Sequence, residues 1–180
     1  MAMIKFPTSS VSLLLTLAAC ASGSTWSQTP SGIDFQSVSQ DLLNNPNPED
    51  WLMWRGGYEN WGYSPLDQIN RDNVQQIRLA WSWEFEPAAL GSNGMQVEPT
   101  VYNGVMYVRH PNEKYSAHEA TTGDLIWQYS RPLVSEVSGY ETRLTVHRGR
   151  GVFIYEDKLI SHATDGMLFA LDPRDGRLLW

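Results

Sequence analysis

Cys20 is the only cysteine among 180 residues, which excludes an intrachain disulfide framework. Positive charge is also scarce. Lysine and arginine number 13 against 20 aspartates and glutamates, for a net charge of −7. Phosphate binding needs clustered Lys and Arg, so a nucleic-acid partner is excluded. Beyond the N-terminus there is no apolar run long enough to cross a bilayer. The dinucleotide fingerprint and the glycine-rich phosphate loop are missing, which argues against a nicotinamide enzyme. A nucleophile elbow is missing as well. His110, His118, His147 and His162 show no ligand spacing such as a helical i, i+4 pair and receive no functional assignment.

What the sequence does hold is aromatic and turn-forming. Eight Trp, eight Tyr, 14 Gly and 10 Pro point to short strands joined by many turns, not long helices. The N-terminus reads as a targeting signal: Lys5 in a polar start, then the apolar core Val11 to Ala19. Nine residues are too few to span a bilayer as a helix. Leu17-Ala-Ala-Cys20 resembles the lipobox of bacterial lipoproteins, in which the Cys is acylated. Cleavage at the small-x-small site Ala19-Cys20-Ala21 is the alternative. Either way residues 1–20 are expected to direct the protein out of the cytoplasm to the periplasm, and acylation of Cys20 would anchor it in the outer membrane. Residues 21–49 are rich in Ser, Thr, Gln, Asn and Pro and read as a flexible linker.

The body contains a repeat. Tyr115 to Trp127 superimposes on Leu168 to Trp180 at an offset of 53 residues, which aligns Ala117 with Ala170, Gly123 with Gly176, Leu125 with Leu178 and Trp127 with Trp180. The same offset lays Val101 to Val108 on Ile154 to Ser161 and brings Tyr102 onto Tyr155. Each unit reads as strand, turn, strand, turn with Gly, strand ending in Trp. Asn103-Gly104 is a strong hairpin signal because both residues tolerate positive φ. Thr122-Gly123 and Asp175-Gly176 are expected to supply the same geometry at the second turn. A repeat of this length built from antiparallel strands matches one propeller blade. The terminal indole has the shape to wedge between blades while its N–H reaches a backbone carbonyl on the next one.

Ala117, Glu119, Thr122-Gly123 and Trp127, with Ala170, Asp172, Asp175-Gly176 and Trp180, resemble the tryptophan-docking motif of pyrroloquinoline-quinone dehydrogenases. Upstream, Asp50-Trp-Leu-Met-Trp-Arg-Gly-Gly-Tyr-Glu-Asn-Trp-Gly-Tyr-Ser-Pro-Leu-Asp-Gln-Ile-Asn70 resembles the opening segment of the quinoprotein alcohol dehydrogenases. Asn73-Val-Gln-Gln-Ile-Arg-Leu-Ala-Trp81 resembles its continuation. The resemblance implies an all-β fold. Residues 50–180 would form about two blades plus a leading segment, the N-terminal part of an eight-bladed β-propeller. Blade docking falls to Trp127, Trp180, Gly123 and Gly176. Because the chain ends inside a repeat, it is expected to be a piece of a longer enzyme and to fold poorly alone.

The resemblance further implies a periplasmic dehydrogenase that uses pyrroloquinoline quinone and calcium to oxidise a primary alcohol or related polyol or sugar. Cytochrome c or a quinone would take the electrons. The calcium ligands and catalytic base would lie beyond Trp180, so no catalytic or metal residue is assigned here. Three positions are candidates for cofactor contact. The family places a Glu three residues before the Pro that precedes the first blade strand, facing the quinone. Here Gln96 stands there, and Glu98 sits one residue before Pro99. Along a strand, 96 and 98 would share a face. Arg150-Gly151 resembles the family's Arg-Gly step, whose guanidinium pairs with a quinone carboxylate; Arg148 precedes a Gly as well. The family's adjacent-cysteine disulfide has no counterpart, for 130–149 contains no Cys. An alternative is a non-catalytic propeller lipoprotein, like the scaffold component of the outer-membrane assembly machinery, but the opening segment separates the two.

Overall fold

The computed structural model describes residues 33–84, 96–111, 113–132, 151–163 and 165–180. The signal segment 1–20 with Cys20, the first part of the polar stretch, Arg148 and Arg150 lie outside the described residues, as does most of 130–149.

Two antiparallel sheets follow one another along the chain. The first comprises β1 (Thr100–Tyr102), β2 (Val105–His110), β3 (Lys114–Glu119) and β4 (Leu125–Ser130), paired in that order. The second comprises β5 (Phe153–Tyr155), β6 (Lys158–His162) and β7 (Leu168–Leu171). Their registers repeat at the spacing of the sequence repeat. Tyr102 pairs with Val105 and Tyr155 with Lys158. His118 pairs with Leu125, and Leu171 bridges to Leu178. β2 and β3 are buried at most positions on both faces, as middle strands must be when a sheet is covered on each side. Between the sheets lie Tyr107, Tyr115, Trp127, Leu159 and Phe169. Tyr115 meets Phe169 edge-on at 5.3 Å.

Asn103 (φ 48°) and Gly104 (φ 76°) form the expected turn with both centres in the left-handed region. The second turns differ from expectation. Only Gly123 (φ 78°) and Gly176 (φ 72°) have positive φ there, not the residues before them. The loops close instead by i to i+4 bonds, Gly123 N–H to Glu119 O and Gly176 N–H to Asp172 O, at 2.8 and 2.9 Å. The acidic residue at each loop's start satisfies the amides inside it. Glu119 Oε2 accepts from Thr122 N–H at 2.8 Å, and Asp172 Oδ1 from Arg174 N–H at 3.0 Å. One left-handed residue suffices for this wider turn, so only the glycine is specified.

The linker expected over 21–49 is corrected from residue 33 onward. Phe35, Val38 and Leu43 are buried in the core. Val38 exchanges backbone hydrogen bonds with Glu156. A short helix, α1 (Gln40–Asn44), starts where Ser39 Oγ accepts Leu42 N–H at 3.2 Å. The polar average of this stretch hid a few apolar residues placed to face the sheets. Next, Trp51 pairs with Val101 on the free side of β1. The chain then runs to Trp83 with many of its apolar side chains exposed, Trp61 at 77 % and Leu79 at 82 % among them. Among the described residues no helix is long and apolar enough to cross a membrane.

Candidate functional site at the leading ends of the sheets

Two indoles repeat one geometry. Trp127 Nε1–H donates to Pro173 O at 2.9 Å, and Trp81 Nε1–H to Ala120 O at 3.1 Å. The two carbonyls are 53 residues apart, the repeat offset. Each ring lies against the left-handed glycine of the turn that accepts its bond. A Cβ built on Gly176 would stand 2.5 Å from Trp127, and one on Gly123 would stand 2.6 Å from Trp81. Trp180 occupies the position equivalent to Trp127 and is 54 % exposed in this chain. Sequence reasoning singled out Trp127 and missed Trp81 as a docking residue, although Trp81 closes the opening motif.

Under the Gly123 turn runs a chain of neutral polar groups. His118 Nδ1–H donates to Gly123 O at 3.1 Å, leaving Nε2 to accept from Ser116 Oγ at 2.7 Å. Ser116 Oγ in turn accepts from His110 Nε2–H at 2.5 Å. The His118 ring stacks parallel to Trp81 and meets Trp83 edge-on at 4.7 Å. Burial, joined by the nearby charges of His118 and Lys114, pushes His110 down to about 4. Burial also lowers His118, against its bond to Gly123. Because the unfolded imidazole takes up a proton near pH 6.5, the unfolded state binds more protons between that pH and about 4. The stability is therefore full above pH 6.5 and is lost as pH falls toward 4. For His110 alone the loss is about 3 kcal/mol. Urea midpoints taken from pH 7 to 4.5 should fall accordingly, and a His110→Gln variant should flatten the fall; an equally steep profile in that variant contradicts the assignment.

The second site lies at the end of the sheets where β1 and β5 begin and β6 ends. A cavity of about 340 Å³ is bounded by Met53 and Trp54, the lead-in Glu98–Thr100, the lead-in Gly151–Phe153, and His162. The two lead-ins are stitched together: Thr100 Oγ1–H donates to Val152 O at 2.8 Å. A Cβ on Gly151 (φ 143°) would stand 2.7 Å from Glu98 O, so only glycine allows this approach. Glu98 Oε1 accepts from the Trp51 indole N–H and, at 2.7 Å, from Arg55 N–H. Its carboxylate thus holds the opening segment against the cavity rim. Gln96 is exposed. Ladder pairing starts at Thr100, so the same-face relation expected of 96 and 98 is not imposed by a strand. Arg150 adjoins Gly151 in sequence and lies outside the described residues.

Sequence reasoning left His162 without a role, yet it lines this cavity. Behind it lies a buried charge cluster. Arg109 NH1 reaches His162 Nε2 at 3.4 Å, and Arg109 NH2 pairs with Glu113 Oε1 at 3.3 Å. Tyr115 donates to Glu113 Oε2 at 3.1 Å and accepts from Ser161 at 3.2 Å. Burial raises the Tyr115 phenol to about 12, opposed by the Arg109 charge and the Ser161 bond. Burial also lowers His162, then the Arg109 charge does, with Glu113 acting the other way. Among the described residues no group of three or more His, Cys, Asp or Glu is arranged to hold a metal ion.

Comparison with known proteins places this geometry. Residues 51–180 match the family model of the glucose/ethanol/alcohol dehydrogenase β-propeller domain. The dehydrogenase subunit of the quinone alcohol dehydrogenase of Gluconobacter oxydans is 35 % identical over 137 residues, covering 76 % of this chain and 17 % of that protein. The 1-butanol dehydrogenase (cytochrome c) of Thauera butanivorans is 37 % identical over 130 residues, covering 71 % and 18 %. A solved europium-containing methanol dehydrogenase superimposes with a TM-score of 0.64 at 30 % identity, over 78 % of this chain and 24 % of that one. The chain therefore spans between a sixth and a quarter of the length of these relatives. A four-stranded and a three-stranded antiparallel sheet in consecutive repeats, joined by indoles on glycine turns, and a family match covering residues 51–180 make this chain part of a β-propeller and a member of the pyrroloquinoline-quinone-dependent glucose/ethanol/alcohol dehydrogenase family.

Proposed function

We propose that the chain belongs to an exported quinoprotein dehydrogenase that oxidises a primary alcohol, or a related polyol or sugar, to the carbonyl. The observation that carries this reading is the cavity at the leading ends of β1 and β5. Its size lies within the range of cofactor sites. Its walls offer flat apolar surface from Trp54, Pro99 and Phe153, and His162 supplies an imidazole at the edge. Such walls fit the faces of a planar ring system, and Arg150, immediately before Gly151 in sequence, is the proposed partner of an acidic substituent. When bound, pyrroloquinoline quinone would accept two electrons from the alcohol, with a metal ion to polarise it.

This chain's residues would contribute binding and shape. Trp54 and Phe153 would cover the ring faces and exclude water, while Glu98 keeps Trp51 and Arg55 in place at the rim. Calcium is proposed as the metal, its ligands supplied by other parts of the protein; the europium in a related methanol dehydrogenase supports a metal requirement. The cytochrome named for the butanol dehydrogenase relative supports a cytochrome c acceptor, with a quinone as the other candidate. The segment 1–20 supports export to the periplasm, and Cys20 an acyl anchor. The test is dye-linked oxidation by the full-length protein its gene encodes, reconstituted with the quinone and either calcium or a lanthanide. Turnover of primary alcohols that needs both additions is the expected result. No oxidation of any alcohol, polyol or sugar under either metal would overturn the proposal.

A further inference from the structure

We propose that His162 is a ligand-binding residue of this cavity, donating its Nδ1–H to an oxygen of the quinone cofactor, with Arg109 as the positioning residue that fixes its tautomer. The inference rests on the reading that the cavity holds the quinone. His162 ends β6 and lines the cavity that the Glu98–Thr100 lead-in also bounds. Its Nε2 faces Arg109 NH1 at 3.4 Å. A guanidinium has donors and no acceptor, so Nε2 must present its lone pair and the ring proton must sit on Nδ1. Burial, and then the same cation, disfavour a second proton on the ring, with Glu113 acting the other way.

Arg109 is itself held firmly. It is 3 % exposed, pairs with Glu113, and lies over the Tyr115 ring at 5.8 Å. The outcome is one oriented N–H donor on the wall of a cavity whose other surfaces are largely apolar. Such a donor matches a carboxylate or carbonyl oxygen on a planar ligand, and a hydrogen bond to a charged acceptor is among the stronger ones.

The experiment is equilibrium dialysis of pyrroloquinoline quinone against the full-length protein and two variants. His162→Ala should weaken binding about tenfold. His162→Asn, whose amide N–H falls near the position of Nδ1–H, should bind within about threefold of the unaltered protein. Nitrogen NMR of the imidazole should show the Nδ1–H tautomer before ligand is added, and Arg109→Gln, whose amide oxygen can accept from Nε2–H, should change that signature while weakening binding. His162 is exposed, so unchanged circular dichroism in the alanine variant is expected and separates lost binding from lost fold. If His162→Ala binds as tightly as the unaltered protein, or the tautomer is Nε2–H, the inference is overturned while the cofactor site stands. If the unaltered protein binds no quinone, both fall.

Discussion

Trp127→Ala is expected to destabilise the protein by about 4 kcal/mol, the upper part of the range for removing a buried aromatic side chain. Trp127 is 3 % exposed, sits in the core cluster, and donates to Pro173 O across the junction of the two sheets. Its loss leaves a cavity and also an unpaired carbonyl. The companion change, Gly176→Ala, puts a methyl where the indole lies, 2.5 Å away, on a backbone at φ 72°. That change alone should cost about 3 kcal/mol, from left-handed strain and the clash together. In the Trp127→Ala background the clash disappears, and only about 1 kcal/mol of backbone strain should remain. Urea denaturation of the four proteins in this cycle reads the coupling directly. Additive losses would show that ring and glycine do not act as one junction.

Glu113→Ala is expected to cost about 3 to 5 kcal/mol, as does breaking other buried ion pairs by removing one partner. The side chains of Arg109 and Glu113 are 3 % and 0 % exposed. Removing the carboxylate strands the guanidinium in the interior and takes the acceptor from the Tyr115 hydroxyl. Replacing both partners, as Arg109→Met with Glu113→Leu, removes the stranded charge and should recover most of the loss. A folded-state stability in Glu113→Ala equal to that of the unaltered protein would mean the pair is solvated or compensated elsewhere. The double replacement should at the same time release His162 from its fixed tautomer, so it also separates stability from cofactor binding.

The blades were legible in the sequence because their determinants are local. Asn103-Gly104 and the glycines at 123 and 176 dictate turns through backbone φ, and the Trp at each repeat end marks the junction. The repeat offset carried over into the strand registers without change. What stayed hidden depends on contacts between distant segments. Val38 is unremarkable in a polar stretch until Glu156, just after β5, supplies its pairing partner, and Leu43 until it meets the core. Trp81 lacks a repeat counterpart at the right spacing, since Trp127 follows it by 46 residues and not 53. The histidines were set aside for want of ligand spacing, but their roles arise from hydrogen bonds. His110 and His118 are linked through Ser116, two residues from His118 on the same strand. His162 acquires its orientation from Arg109 on the neighbouring sheet. For Glu98, the residue type pointed toward the cavity, while its bonds to Trp51 and Arg55 came from the opening segment folding back.

The most direct test of the account is the structure of the full-length protein loaded with pyrroloquinoline quinone. The quinone should lie in the cavity between the Glu98–Thr100 and Gly151–Phe153 lead-ins, with an oxygen within hydrogen-bond reach of His162 Nδ1. A quinone bound elsewhere on the propeller, with this cavity filled by other side chains, would contradict it.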